Sequence, residues 1–236
     1  MKIIGVLGGM GPEATVDFLG KLVRIAGPET CPRILVDMDP TIPSRTLAAM
    51  GKGPNPGGRI MQGVSALVER GAEIVAVPCN QAHGWHPANN DYRFGPESRW
   101  LDMLAVVAAA VKARGLKQPL ILGGYVTTRW RLYDRHFGPY AICLNGEINE
   151  AVYRIIADIK RGGYKARDTY RNLVAIIRQA RKFTRLDSVI LACTELPLIW
   201  PVGKDGNPKP FLKLPVFDSS LEYARAIIAK AKQEGD

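Results

Sequence analysis

Apolar runs rich in β-branched residues alternate with helical patterns along the chain, and this alternation limits the possible fold more than any other feature. The runs are "KIIGVLGG", "RILVDMD", "AEIVAVPCN", "PLILGGYV", "AICLN", "DSVILACTE" and "LPVFDSS". Amphipathic stretches such as "GRIMQGVSALVERG" and "LEYARAIIAKAK" lie between or after them. Strands that alternate with helices predict a parallel sheet with helices packed on its faces. A long helical stretch is predicted from Glu147 to Lys182.

Two of the predicted strands end in a cysteine that is followed by small polar residues. Cys79 ends the run in "AVPCNQAH", and Cys193 ends the run in "ILACTELP". The similarity indicates an internal duplication, which predicts two similar α/β domains whose parallel sheets face each other across a central cleft. Because ligands bind at the carboxyl ends of parallel strands, we expect the two cysteines on opposite walls of that cleft.

The four cysteines form no CxxC pair and have no zinc-ligand spacing, so no metal site is expected. In a reducing compartment they are interpreted as free thiols, and Cys31 and Cys143 as buried filler. The segment "GGMGPEAT" lacks both the Lys-Ser/Thr of a phosphate-binding loop and the third glycine of a dinucleotide fingerprint. It predicts a tight turn that brings the backbone, and Met10 with it, close to a small substrate.

The net charge of +10 is concentrated in one segment. Residues 154–185 contain ten Lys or Arg against two Asp. One face of the pattern "NLVAIIRQARKF" is apolar and consists of Leu173, Ile176, Ile177, Ala180 and Phe183. A solvated basic helix face explains the charge, since no aromatic residues are interleaved with the basic ones as in nucleic-acid-binding motifs. Nucleic acid is therefore not an expected partner.

The chain shows neither a signal-peptide core nor about twenty consecutive apolar residues. We therefore expect a soluble, cytoplasmic protein without membrane contact.

Four motifs, in order along the chain, resemble those of the aspartate/glutamate racemase family. They are "GVLGGMGPEAT" (5–15), "VPCNQAH", "LACTELP" and "LPVFDSS" (214–220). The resemblance implies an N-terminal domain of residues 1–100 plus 210–236, which carries Cys79, and a second domain of residues 101–209, which carries Cys193. It also implies a homodimer that racemises an acidic amino acid, aspartate or glutamate, without a cofactor. No lysine lies in a recognisable pyridoxal-phosphate context, which agrees with that expectation.

Two thiols suit racemisation because one can remove the α-proton from one face while the other returns a proton to the opposite face. The ordinary thiol pKa is about 8.5, and protein environments move it toward neutrality. Both cysteines are expected where a strand meets a helix N-terminus, which offers partial positive charge. Acid–base catalysis needs both groups within hydrogen-bond reach of the reacting proton, and strand ends provide such precision. The resemblance thus implies that Cys79 and Cys193 are the catalytic residues.

The resemblance also implies a set of substrate-binding residues. Asn80 and Thr194 would hold the α-carboxylate, and Arg45 a side-chain carboxylate. A second basic residue is expected before the strand of Cys193, and both Lys160 and Arg161 fit. The remaining expected pocket residues are Met10, Gln81, Thr127, Thr128 and Glu195. His83 either tunes a thiol or is a structural histidine.

The chain departs from the family pattern at several positions. Gln81 stands where the family commonly has Thr. In the closing segment, the family commonly has a His a few residues after the acidic residue, whereas this chain has Tyr223. Gln81 is longer than Thr, and Trp85, Trp130 and Trp200 lie near the candidate loops. The alternative therefore remains that the chain is a racemase for a bulkier, non-acidic amino acid. Two further alternatives are a lyase or isomerase that uses one thiol, and a binding protein that acts through its basic helix.

Overall fold

A computed structural model describes residues 1–86, 99–162 and 165–233. Its first sheet has three parallel strands in the order β2-β1-β3. These are β1 (Ile4–Gly8), β2 (Ile34–Met38) and β3 (Ile74–Ala76). Ile4 pairs with both Ile34 and Ile74, so the first residues of the three strands are in register. All five residues of β1 are buried, which explains why this run is apolar throughout rather than alternating.

The second sheet has four parallel strands in the order β5-β4-β6-β7. They are β4 (Pro119–Gly123), β5 (Ile142–Cys143), β6 (Ser188–Ala192) and β7 (Val216–Asp218). The predicted fold class, α/β with two parallel sheets, is confirmed. In both sheets the chain reverses its strand order beside a central strand, and ligands of α/β proteins bind at such points. The strand that precedes each of Cys79 and Cys193 adjoins such a point.

Helices connect these strands and cover the sheets. In chain order they are α1 (Pro12–Ala26), α2 (Arg45–Ala49), α3 (Gly57–Glu69), α4 (Met103–Lys112), α5 (Tyr125–Arg129), α6 (Asp134–Phe137), α7 (Gly146–Lys160), α8 (Ala166–Phe183) and α9 (Ser219–Lys232). Four of the five residues predicted for the apolar face of α8 are buried, whereas Phe183 is 77% exposed. Phe183 is the last residue of α8, so the face of the helix no longer has a partner there.

The long helical stretch predicted from Glu147 to Lys182 is divided into two helices, α7 and α8. Helix α7 ends at Lys160, and Gly162 follows with a φ of 71°. That left-handed conformation suits glycine and stops a right-handed helix. The break matters for the site, since it leaves Lys160 at the end of a helix rather than within it.

The closing strand β7 pairs with β6 in the second sheet, not with the first sheet where the expected domain division placed it. Helix α9, which follows directly, packs instead against α1 and α4. A buried ion pair joins the two regions, because Lys21 Nζ lies 2.6 Å from Asp218 Oδ2 and also contacts Asp17. The closing segment therefore contacts both halves of the chain, and the exact domain boundaries stay a prediction.

One apolar core extends under both sheets. It includes Ile4 of β1, Ile121 of β4, Ile190 of β6 and Phe217 of β7, all at most 1% exposed. Tyr223 of α9 belongs to the same core, and its hydroxyl donates to Leu101 O and accepts from Val77 N. Tyr223 is thus a structural residue. Within the described ranges, no helix is long and apolar enough to cross a membrane.

Candidate active site

The turn that carries Cys79 follows β3 and leads directly into a 3-10 helix, Asn80–Trp85. Cys79 is 6% exposed. His83 fixes the turn, because its Nδ1 lies 3.0 Å from Cys79 O and its Nε2 accepts the Met103 N–H at 3.0 Å. Since Nε2 accepts, the ring proton resides on Nδ1 and donates to the Cys79 carbonyl. Complete burial lowers the pKa of His83 to about 4, so the ring is neutral near pH 7.

The turn that carries Cys193 follows β6, and a 3-10 helix, Leu196–Leu198, begins three residues later. Cys193 is buried, and its Sγ donates to Glu195 Oε2 at 2.8 Å. Burial raises the pKa of the Cys193 thiol well above its ordinary value, and the Glu195 carboxylate raises it further. The 3-10 helix after Cys193 is short and has a small dipole, so the expected effect of its N-terminus is minor beside that of the Glu195 carboxylate.

Both cysteines line one small cavity, the inner cavity. It is formed by the turn after β3, the turn after β6 and the end of α7. Its lining residues are Cys79, Asn80, Gln81, Lys160, Ala192, Cys193, Thr194 and Glu195. The empty volume is about 180 Å³, and little more than one water-sized sphere fits inside it. The two thiols therefore face one space, one from each sheet.

A second cavity, the outer cleft, adjoins the inner one. It has an empty volume of about 830 Å³ and is lined by residues 9–14, Pro40, Arg45, residues 160–162 and Glu195. Lys160 and Glu195 line both spaces. Lys160 Nζ lies 3.1 Å from Glu195 Oε1, so this ion pair separates the inner cavity from the outer cleft.

The carbonyl of Met10 joins the basic groups of the outer cleft. It accepts hydrogen bonds from Arg45 Nη2 at 2.9 Å and from Lys160 Nζ at 3.3 Å. Arg45 Nη1 donates to the carbonyls of Ile42 and Pro43, while its buried Nε has no hydrogen-bond partner in the described ranges. One donor of Arg45 is therefore unsatisfied within those ranges.

Burial acts to lower the pKa of Lys160, but the Glu195 carboxylate and the two neighbouring thiols outweigh burial and raise its pKa above the usual value. The ammonium is therefore charged at neutral pH. Of the two basic residues considered from the sequence, Lys160 lies at the inner cavity. The Arg161 side chain is 74% exposed and pairs with Asp158.

The glycine-rich turn after β1 brings the backbone close to Glu195, while its predicted approach to a small substrate stays a prediction. Gly9 has a φ of 88°, and a Cβ there would lie 2.4 Å from the Asp39 backbone. At Gly11 a Cβ would lie 2.4 Å from Glu195 Oε1. Gly11 is therefore needed because a side chain there would collide with the Glu195 carboxylate, and not because of its backbone conformation.

Asn80 and Gln81 line the inner cavity, but their side-chain oxygens bind other protein groups. Asn80 Oδ1 accepts from Tyr133 OH at 2.8 Å, and its Nδ2 donates to Ser219 Oγ at 2.9 Å. Gln81 Oε1 accepts from Val126 N at 3.0 Å and from Thr46 Oγ1 at 3.2 Å. The amide of Asn80 thus holds the Cys79 turn in place, and Gln81 joins that turn to α2 and α5.

The structure does not bring every predicted residue to the thiols. Thr127 and Thr128 line neither the inner cavity nor the outer cleft. Thr127 is completely buried, and Thr128 Oγ1 lies 2.5 Å from Tyr153 OH. The tryptophans Trp85, Trp130 and Trp200 are also absent from both linings. They therefore give no support for a bulkier substrate.

Three site-supporting residues were missed in the sequence: Thr46, Tyr133 and Ser219. Each contacts Asn80 or Gln81 from a distant part of the chain, and the Ser219 hydroxyl also donates to Leu191 O. No local pattern identifies them, although Ser219 lies within the closing motif "LPVFDSS".

Together, the fold and the site define an α/β protein with one thiol from each of two sheets, basic groups beside them and a small cavity between. Comparison with known proteins is consistent with this arrangement. The profile of the Asp/Glu/Hydantoin racemase family matches residues 7–227. The chain therefore belongs to the Asp/Glu/Hydantoin racemase family, and it is an isomerase of the racemase type.

Individual relatives cover almost the whole chain. The solved aspartate racemase of Picrophilus torridus is 28% identical, with a TM-score of 0.80 over 98% of this chain and 94% of that one. An aspartate racemase homologue, PH1733 from Pyrococcus horikoshii OT3, is 24% identical, with a TM-score of 0.73 over 99% and 100%. The broad specificity amino-acid racemase RacX of Bacillus subtilis (strain 168) is 23% identical over 96% of this chain and 97% of RacX.

Proposed function

We propose that the protein interconverts the L- and D-enantiomers of an acidic amino acid, aspartate or glutamate, by proton transfer between Cys79 and Cys193. The observation that carries the proposal is that both thiols line the same buried cavity, one from each sheet. A single-thiol lyase or isomerase needs only one of them, so the shared cavity favours the two-thiol reaction.

The proposed reaction moves one proton across the substrate. The thiolate of one cysteine removes the α-hydrogen as a proton and becomes a thiol, and the electron pair is delocalised from Cα into the carboxylate. The other thiol then gives its proton to the opposite face of Cα and becomes a thiolate. The two forms of the free enzyme therefore differ only in which cysteine carries the proton.

The charges around the cavity support an acidic substrate. Lys160 lines both the inner cavity and the outer cleft, Arg45 lines the outer cleft, and both donate to the Met10 carbonyl. The Nε of Arg45 is a buried donor without a partner in the described part of the chain, which suits a carboxylate. Because the inner cavity holds little more than one water, we propose that the walls separate to admit the substrate.

A racemase of wider amino-acid range is the second candidate. The likeness to RacX, whose name states a broad specificity, favours it over the alternative of a pure binding protein. The two candidates differ in what happens to neutral amino acids, since such substrates lack the side-chain carboxylate that Arg45 would bind in a dedicated acidic site.

The direct test is α-proton exchange in deuterated buffer with both enantiomers of aspartate, glutamate, alanine and arginine, and with substituted hydantoins. We expect deuterium at Cα to accompany loss of optical rotation for an acidic amino acid. Equal rates for acidic and neutral amino acids would favour the broad-specificity candidate. Absence of exchange with every compound would refute the proposed racemisation.

Substitution of the thiols tests the mechanism. Cys79→Ser and Cys193→Ser should each lower kcat/KM for racemisation by about 10²- to 10⁴-fold, as expected for loss of a general acid or base. Cys31→Ser and Cys143→Ser are matched controls, because neither cysteine lines the inner cavity or the outer cleft. Parental activity in either of the first two variants would contradict the two-thiol assignment.

A further inference from the structure

The two sulfur atoms of the inner cavity have different surroundings. Cys193 Sγ donates a hydrogen bond of 2.8 Å to a carboxylate oxygen, Glu195 Oε2. In the ranges 1–86, 99–162 and 165–233, the sulfur of Cys79 makes no such bond, and the hydrogen bonds of Cys79 are made by its backbone, to Val77, Ala82 and His83. The two thiols of the proposed reaction are therefore not equivalent, because only the Cys193 sulfur contacts a carboxylate in these ranges.

The carboxylate beside Cys193 is fixed in place. Glu195 is 3% exposed, and its second oxygen lies 3.1 Å from Lys160 Nζ. The glycine-rich turn closes the remaining side, since a Cβ at Gly11 would lie 2.4 Å from that oxygen. Rotation of Glu195 away from the sulfur would cost the ion pair and would meet the Gly11 backbone.

An ionised carboxylate accepts a hydrogen bond from a thiol but repels a thiolate. Burial raises the pKa of Cys193 and Glu195 raises it further, while Lys160, at the end of α7, acts in the opposite direction. The remaining charged or titratable groups near the cavity are Cys79 itself and Arg45 of α2, both of which act on Lys160. Glu195 accepts a hydrogen bond from the Cys193 sulfur at 2.8 Å, and this contact favours the protonated sulfur.

We infer that Glu195 is a positioning residue that keeps Cys193 in its thiol form in the free protein. Under the proposed racemisation, on which this consequence rests, Cys193 starts as the proton donor, and the first enantiomer to react is the one whose α-hydrogen faces Cys79. After one turnover the proton lies on Cys79, and the Cys193 thiolate lies against the carboxylate. That form is the less stable of the two, so the proton returns to Cys193 before the enzyme accepts the same enantiomer again.

The thiol state can be measured without any substrate. Cysteine labelled with ¹³C at Cβ gives a carbon signal whose shift distinguishes thiol from thiolate, and four single Cys→Ser variants assign the four signals. In the unsubstituted protein we expect the Cys193 signal to stay in its thiol position through pH 9. In Glu195→Gln, which keeps the side-chain shape, Cys193 should titrate at a pH lower by about 1 or more.

The matched control is Glu69→Gln, which removes one exposed carboxylate on α3. It should leave the Cys193 titration unchanged. A Cys193 signal that is already in its thiolate position at pH 7 in the unsubstituted protein would overturn the inference, and this result does not depend on whether Glu195→Gln folds. An equal titration of Cys193 in the parent and in folded Glu195→Gln would also overturn it.

The experiment separates this inference from the proposed function. If no amino acid exchanges its α-proton but Glu195→Gln lowers the pH at which Cys193 titrates, the racemisation fails while the assignment of Glu195 stands. If racemisation is observed and Glu195→Gln leaves the Cys193 titration in place, the racemisation stands while the assignment of Glu195 fails.

Discussion

Gly11 places the backbone of the first glycine-rich turn against the carboxylate that contacts Cys193. Its φ is −149°, which any residue adopts, so the need for glycine comes from space alone. In Gly11→Ala the new methyl group would displace Glu195, and with it the Cys193 thiol. A displacement of about 1 Å at a reacting group costs about 10²-fold in rate, so kcat/KM for racemisation should fall by about that factor.

The matched control for Gly11→Ala is Gly20→Ala in the middle of α1. A Cβ at Gly20 meets no atom within 4 Å, and the position is exposed. This variant should keep full activity and raise the free energy of unfolding by about 0.5–1 kcal/mol. Parental activity in Gly11→Ala would show that Glu195 does not need its observed position.

At the residue scale, the sequence predicts the candidate catalytic cysteines better than the residues that hold the Cys79 turn in place. Cys79 and Cys193 stand out because each ends an apolar strand. The partners of Asn80 do not, since Tyr133 lies 53 positions away and Ser219 lies 139 positions away. Only the folded chain brings these hydroxyls together. It also shows that the Asn80 amide is already bound to them.

At the element scale, His83 connects the 3-10 helix after Cys79 to the first turn of α4. A neutral His83 accepts the Met103 N–H, and a protonated one cannot. Because the pKa of His83 is about 4 when folded and near 6.5 ordinarily, the unfolded chain binds a proton between these values and the folded chain does not. The part of the free energy of unfolding that depends on the neutral His83 ring is therefore fully present above pH 6.5. It is lost as the pH falls toward 4, by about 3 kcal/mol in total.

Urea unfolding at pH 7 and pH 5 measures this loss. The parent should be less stable at pH 5 by about 2 kcal/mol, and His83→Gln should lose most of that difference. His86 adds to the effect in the same direction, because burial lowers its pKa as well. His136 is half-buried and burial lowers its pKa as well, so the comparison variant His136→Gln should remove a smaller part of the difference than His83→Gln does. An unchanged pH dependence in His83→Gln would contradict the assignment of a neutral, structural ring.

Periodicity predicts the strands and the long helices of this chain but not where a long helix breaks. Residues 147–182 show apolar spacing throughout, and the predicted helix therefore ran across Arg161 and Gly162. The short helices α2, α5 and α6 were also missed, since four or five residues carry too little periodicity for recognition. The break matters for the candidate site, because Lys160 is the last residue of α7 and its ammonium pairs with Glu195.

At the scale of the whole molecule, the closing segment joins the two halves. The sequence motif "LPVFDSS" correctly predicts a strand, but pairing in a parallel sheet depends on distant partners and cannot be read locally. Strand β7 completes the second sheet, α9 packs against α1, and the Lys21–Asp218 ion pair lies between them. The homodimer implied by the family resemblance stays a prediction at this scale.

A core that extends under both sheets predicts that the two halves unfold together. Trp100 and Trp200 are both buried and belong to the two predicted domains, residues 1–100 and 101–209. Two variants, each with one of these tryptophans retained and the other three replaced by Phe, report on the halves separately. Because Ile4, Ile121 and Phe217 share one core, both variants should show a single fluorescence transition in urea. Each transition should coincide with that of the same variant's far-UV circular dichroism. A fluorescence midpoint that departs from the circular dichroism midpoint in either variant would mean that the halves unfold independently, and the shared core would then contribute little to cooperativity.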